Sequence, residues 1–196
     1  MRLARHARPQ KHAPGLDLDI RVANRDMANE WLEQGEIDFR IGWVRRPLAK
    51  LHARTLYHDT FVCLVRRDHP VVKTKLTAED YCSLLHVRTA LYRYMELTES
   101  GPIIDEAVAA VGQRLRIAVR APDYLSVPFI VANSNLIATV PQRLATPFLK
   151  ILPIRMLPPP LALPEISISL FWHERTQHSA LHRWFRTAAH SIAADL

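Results

Sequence analysis

The chain has 196 residues, 48% hydrophobic and 23% charged, with a formal net charge of +7. That suits one or two compact units with a buried core, and no apolar run is long enough to span a bilayer, so a membrane partner is not expected. The excess of positive charge permits a nucleic acid, an anionic ligand or neither. Basic residues are spread along the chain among acidic ones, and the cluster Arg2, Arg5, Arg8 and Lys11 lacks interleaved aromatics. The charge therefore supports an anion and gives no reason to expect a nucleic-acid surface.

Met1 to His12 is basic with no apolar stretch behind it, unlike a secretory signal, so the cytoplasm is the expected compartment. Leu16, Leu18, Ile20 and Val22 alternate with polar residues and predict a strand. Asn24 and Asp26 offer capping oxygens, Met27, Trp31 and Leu32 share a helical face, and Gly35 is the expected stop. Phe39 to Trp43 predicts a second strand, which would make a βαβ unit with a parallel sheet. Tyr57 to Val65 predicts a further strand, turned at Asp68, His69 and Pro70.

Thr77 and Asp80 have the spacing of a capping box, with Leu76 and Tyr81 placed as a hydrophobic staple. A helix to about Leu85 and a strand from His86 to Ala90 should follow. Pro102 suits the first turn of a helix whose apolar face is Ile103, Ile104, Ala107, Val108 and Val111, ending at Gly112. Leu115, Ile117 and Val119 predict a strand, Tyr124 to Ala132 a helix bent or shortened by Pro128, and Leu136 to Val140 another strand. Pro153, Pro158, Pro159, Pro160 and Pro164 mark a stiff extended connector. Ile166, Ile168 and Leu170 then alternate as a last strand, and Leu181, Trp184, Phe185, Ala188 and Ile192 give the last helix its apolar face.

Strand and helix alternate throughout, so the expected class is α/β in two lobes. Such a body is expected to bind its ligand in the crevice between the lobes, at the carboxyl ends of the strands. The candidate effector residues are accordingly Trp43, Thr89, Ala90, Pro122, Asp123, Tyr124 and Ser126. Trp43 would be an aromatic wall or core packing, and Thr89 a ligand contact or strand filler. Ser126 and nearby amides would start a helix and could hold a carboxylate.

Other chemistry is poorly supported. His178 and His182 lie four apart, but without the glutamate of H-E-x-x-H and without a third ligand, so no metal is expected. No G-x-S-x-G elbow, P-loop or G-x-G-x-x-G occurs, and Asp105 and Glu106 are simpler as solvated charges than as an acid/base pair, so no catalytic residues, no cofactor and no enzyme activity are expected. Cys63 and Cys82 sit in apolar contexts and are expected to be small buried hydrophobes.

Four segments resemble one family. Gly35-Glu36-Ile37-Asp38-Phe39-Arg40-Ile41-Gly42 is similar to the G-[ED]-[LI]-D-x-x-[IL]-G signature of LysR-type effector domains. Tyr57 to Pro70 resembles the family's crossover strand and its H-P turn, and Leu136 to Ala145 is similar to its dLiatvP-x-x-la segment. Trp172-His173-Glu174-Arg175 and His182-Arg183-Trp184-Phe185-Arg186 resemble the subgroup that senses aromatic acids, together with the nodulation-type regulators.

The resemblance implies a two-lobed periplasmic-binding-protein-like (type 2) fold, each lobe a doubly wound mixed sheet. Residues 1–58 with 158–196 would form lobe I, incomplete because the family's first strand is missing, and residues 59–157 lobe II. It implies a cytoplasmic transcription regulator that self-associates as a dimer or tetramer and senses a small organic acid, an aromatic carboxylate. No winged helix-turn-helix pattern is present, so sequence-specific DNA binding by this chain alone is not expected. A solute-binding protein of a transport system and a non-functional truncated gene product are the alternatives. Arg40 departs from the family, which has a small apolar residue there; it would face a polar cleft or be exposed.

Overall fold

The computed structural model describes residues 15–23, 25–43, 50–89 and 100–194. Asn24, Ala90 and the basic cluster Arg2, Arg5, Arg8 and Lys11, all given expectations above, lie outside the described residues. The chain divides into two compact units, Met1–Tyr57 with Ile168–Leu196, and His58–Ser167.

The first unit begins with helix α1 (Arg25–Gln34) and strand β1 (Arg40–Trp43). Strand β2 (Leu51–Asp59) follows, and the unit is completed by β8 (Ile166–His173) and helix α6 (Ala180–Ala194). Its sheet has the order β1-β8-β2. Leu32 and Leu170 are fully buried in this unit, and Ala28, Phe171 and Trp172 are buried as well.

Two expectations fail here. Residues 16–22 form no strand: they have no ladder partner among the described residues, and Leu18, Ile20 and Val22 are exposed. Alternation makes a strand only where a neighbouring strand and an apolar surface receive it. Nor is β1 part of a parallel βαβ unit, because it runs antiparallel to β8, with Arg40 opposite Phe171 and Trp43 opposite Ile168. Arg40 is neither cleft-facing and unpaired nor fully exposed. It is half-buried, with its guanidinium 5.1 Å from the Phe171 ring centre and Nη1 donating to Asn29 Oδ1 at 3.4 Å.

The stop at Gly35 is as expected, and its cause is local. Its φ is +85°, and the amides of Gly35 and Glu36 both donate to the Trp31 carbonyl at 2.9 Å. Arg175 adds a second cap, donating to the carbonyls of Leu32 and Glu33. A Cβ on Gly35 would meet Arg175 Nη2 at 2.9 Å as well as the left-handed backbone penalty. Gly35→Ala is therefore expected to cost about 1–2 kcal/mol, read as a lower urea midpoint; an unchanged midpoint would mean that the cap tolerates a side chain.

The second unit is built on β3 (Phe61–Arg66), which lies between β6 (Ala138–Pro141) and β7 (Ile154–Leu157), antiparallel to both. Both faces of β3 are buried. Val62 and Leu64 enter one core with Val87, Val127, Val131 and Val140. Cys63 and Val65 enter a second core with Val72, Tyr81, Ile104 and Ile137. The uninterrupted run Phe61-Val62-Cys63-Leu64-Val65 is the sequence form of a strand covered on both sides. Cys63 is buried as expected, whereas Cys82 is only half-buried.

Helix α2 (Ala78–Ser83) carries the expected capping box: Thr77 Oγ1 accepts from the Asp80 amide at 3.0 Å, and Asp80 Oδ2 accepts from the Thr77 amide at 3.3 Å. His69 explains the H-P turn. Its Nδ1 accepts from the Val72 amide at 3.1 Å, leaving Nε2 to donate to the Asn135 carbonyl at 3.1 Å. Parallel strands β4 (Leu85–Thr89) and β5 (Arg116–Ala121) follow, on either side of helix α3 (Ser100–Ala109).

Helix α4 (Val127–Ala132) starts three residues later than expected, and Pro128 sits in its first turn, where a missing amide costs nothing, rather than bending it. A short helix α5 (Gln142–Ala145) continues from β6. The connector expected around Pro153 contains β7, which the prolines on either side conceal. Residues 158–165 have no regular structure.

Candidate functional site

The second unit contains a crevice where β4 and β6 part. The two strands are joined once, by a parallel bridge between His86 and Ile137, with the Val87 amide donating to Ile137 O at 2.9 Å. Past that bridge they form no further ladder among the described residues. The gap is lined by Arg88 and Thr89 of β4, Thr139 and Val140 of β6, and apolar side chains that include Ile104, Leu115, Ile117 and Val127. Arg88 and Thr89 are the last residues of β4, whereas Leu115 and Ile117 stand at the start of β5, and all the lining residues belong to the second unit. Its volume is about 20 Å³, room for a water molecule or for the polar end of a ligand.

Its inner end is a hydrogen-bonded chain. The Tyr81 hydroxyl and Thr139 Oγ1 are 2.7 Å apart, and Cys63 Sγ lies 3.7 Å from the same Thr139 oxygen. His86 Nε2 donates to the Tyr81 carbonyl at 2.8 Å, and the two rings meet edge to face with centres 4.7 Å apart. Burial pushes the Cys63 thiol up to about 12 and raises the Tyr81 phenol, so neither ionises near neutrality. Burial also lowers the His86 imidazole to about 4, against an opposing pull from its bond to the Tyr81 carbonyl.

His86 is therefore neutral at pH 7. With Nε2 carrying the proton, Nδ1 is an acceptor. Neither that nitrogen nor the Thr89 hydroxyl has a hydrogen-bond partner among the described residues. Arg88 brings positive charge to the wall and is held by Asp105 of α3 at 2.6 and 2.8 Å. The crevice thus offers a cation, a hydroxyl and a ring acceptor against apolar walls, and Cys63 is too weakly acidic to serve as a nucleophile.

Of the expected site residues, Thr89 and Tyr124 line this crevice. Pro122 and Asp123 are exposed. Asp123 Oδ1 accepts from the Ser126 amide at 2.8 Å, and Ser126 Oγ donates to the Asp123 carbonyl at 3.0 Å, so the polar groups expected to hold a carboxylate bind one another. Trp43 belongs to the other unit, half-buried in β1. Tyr81, His86, Arg88 and Thr139 were not singled out from the sequence. A histidine and an arginine interrupting the apolar pattern of β4 are the signal that could have found two of them.

His182 has another occupation than metal binding: Nε2 lies 2.9 Å from Asp38 Oδ1 and Nδ1 2.8 Å from Ser179 Oγ. Among the described residues, no group of three His, Cys, Asp or Glu could hold a metal ion, and no helix is long and apolar enough to cross a membrane.

The LysR substrate binding domain family matches residues 4–193. The chain belongs to that family. It is 33% identical to the HTH-type transcriptional activator NahR of Pseudomonas putida over 84% of this chain and 53% of that protein. It is 32% identical to the HTH-type transcriptional regulator SyrM of Rhizobium etli over 95% of this chain and 54% of that protein. The LysR-type domain thus spans about half the length of these regulators.

Solved structures agree on the fold, the two-lobed periplasmic-binding-protein-like type. The regulatory domain of MexT, a transcriptional activator in Pseudomonas aeruginosa, superposes with a TM-score of 0.79 at 23% identity, over 94% of this chain and 88% of that one. The effector binding domain of QuiR in complex with shikimate superposes with a TM-score of 0.69 at 15% identity, over 88% of this LysR-type chain and 79% of that one.

Proposed function

We propose that this chain is the effector-sensing part of a cytoplasmic LysR-type transcriptional regulator, and that the crevice of its second unit receives the carboxylate end of a small aromatic acid. The observation that carries this is the composition of the crevice wall: the Arg88 guanidinium and the Thr89 hydroxyl, both able to donate to a carboxylate, line it together with apolar side chains. The relatives support the regulatory half, since NahR and SyrM are transcriptional regulators. QuiR, with shikimate, shows that this fold accepts an organic acid in another protein.

At about 20 Å³ the crevice admits a carboxylate but not a whole ring. Thr89 and Tyr124 would contact the acid, and the ring would lie outside the crevice or widen it. Widening acts on the gap between β4 and β6, which a single bridge holds. Displacement of these strands is the change that a full-length, self-associating regulator would relay to the part that contacts promoter DNA. The chain alone is not expected to bind DNA with sequence specificity.

Thermal unfolding across benzoate, salicylate, cinnamate and the aliphatic succinate tests this reading. An aromatic acid at a hundred times its dissociation constant should stabilise by about 2.7 kcal/mol, and Arg88→Gln should abolish the shift. A flat response from folded protein to every acid would overturn the proposal.

A further inference from the structure

Arg88 is the cationic side chain in the wall of the crevice, and it is already matched by a carboxylate. Asp105 grips it with both oxygens, Nη2 to Oδ1 at 2.6 Å and Nη1 to Oδ2 at 2.8 Å. This fork-on-fork geometry is the one by which a guanidinium selects a carboxylate. The two partners differ in surroundings. The Arg88 side chain is 14% exposed, while that of Asp105 is 51% exposed. Asp105 can return to water at little cost, whereas the Arg88 guanidinium, largely withdrawn from water, gains from a carboxylate in that place.

Asp105 also stands beside Ile104, which lines the crevice and is buried in the second core. The counter-ion therefore comes from α3, an element that forms part of the wall. We infer that Asp105 is a resident counter-ion which an incoming carboxylate displaces from Arg88, so that binding of an acid releases α3 from β4. The inference rests on the effector reading above and adds to it a rule of selection and a moving part. A neutral molecule of the same shape cannot take the place of Asp105, and the affinity for an acid is held down by the competition.

Calorimetric titration of the chain with benzoate, salicylate and cinnamate, and with neutral benzamide, tests this on the wild type, Asp105→Asn and Arg88→Gln. Asp105→Asn should bind the acids at least tenfold more tightly with benzamide unaffected, and Arg88→Gln should bind no acid. In the unaltered protein, a saturating acid should speed amide hydrogen exchange within residues 100–109, a readout that needs no variant to fold. Equal or weaker acid binding by Asp105→Asn, with the wild type binding, would show that Asp105 merely orients Arg88; the effector reading would stand and displacement would fall. Slower or unchanged exchange in 100–109 on saturation would have the same meaning. Binding by Asp105→Asn alone would support displacement, and binding of no acid by either folded protein would overturn both readings.

Discussion

Lowering the pH from about 6.5 to about 4 is expected to remove about 3 kcal/mol of stability through His86 alone. In the folded chain this imidazole is held neutral by burial, which lowers it from 6.5 to about 4. In the unfolded chain it takes up a proton near its ordinary value. Between those two values the unfolded state therefore binds the extra proton, so stability falls as pH falls. Above 6.5 the contribution is fully present, and below about 4 no more is lost from this group.

The groups around His86 do not reverse the sign: Arg88 lowers it further, and Asp105 and the Tyr81 carbonyl raise it only in part. Urea midpoints measured across this range for the wild type and His86→Gln would check the effect. Glutamine can still donate to the Tyr81 carbonyl but has no proton to gain, so its profile should be flatter by about that amount. Parallel profiles would show that the acid sensitivity comes from elsewhere.

Features decided within a few residues were legible in the sequence. The box of Thr77 and Asp80 closes over one helical turn, and the stop at Gly35 needs only a residue that tolerates positive φ. The family resemblance, and with it the fold, could also be read from short ordered motifs. What was not legible depends on partners distant in sequence. The alternation at 16–22 looks like a strand but finds no ladder among the described residues, and β7 between Pro153 and Pro158 does not look like one yet pairs with β3.

The site divides in the same way. Strand ends pointed to Thr89 and Tyr124, which do line the crevice. The Tyr81, Thr139 and Cys63 chain was hidden because its members come from three elements separated by 58 and 76 residues. Ser126 shows the converse: a free helix start and one whose first amide is already bonded to Asp123 have the same sequence signature.

Leu64→Ala is expected to be the most damaging of the substitutions considered, costing about 3–5 kcal/mol. Leu64 is fully buried on the central strand of its sheet, paired with Ala138 on one side and Met156 on the other. Ladders on both sides hold the backbone in place, so the neighbours cannot collapse into the space that truncation opens, and the cavity remains. Ile41→Ala is the matched control. It too removes methyl groups from a strand residue, but Ile41 is 61% exposed, so the change should stay within about 0.5 kcal/mol. Urea unfolding of the two variants at one pH separates them, and a loss below about 1 kcal/mol for Leu64→Ala would show that the core refills. Leu64 shares its core with Val87, Val127 and Val140, all three of which line the crevice on their other side. Because these neighbours hold their places, the crevice keeps its lining, so Leu64→Ala at temperatures where it stays folded should bind the aromatic acid as the wild type does, and weaker binding would show that the core relaxes into the cavity.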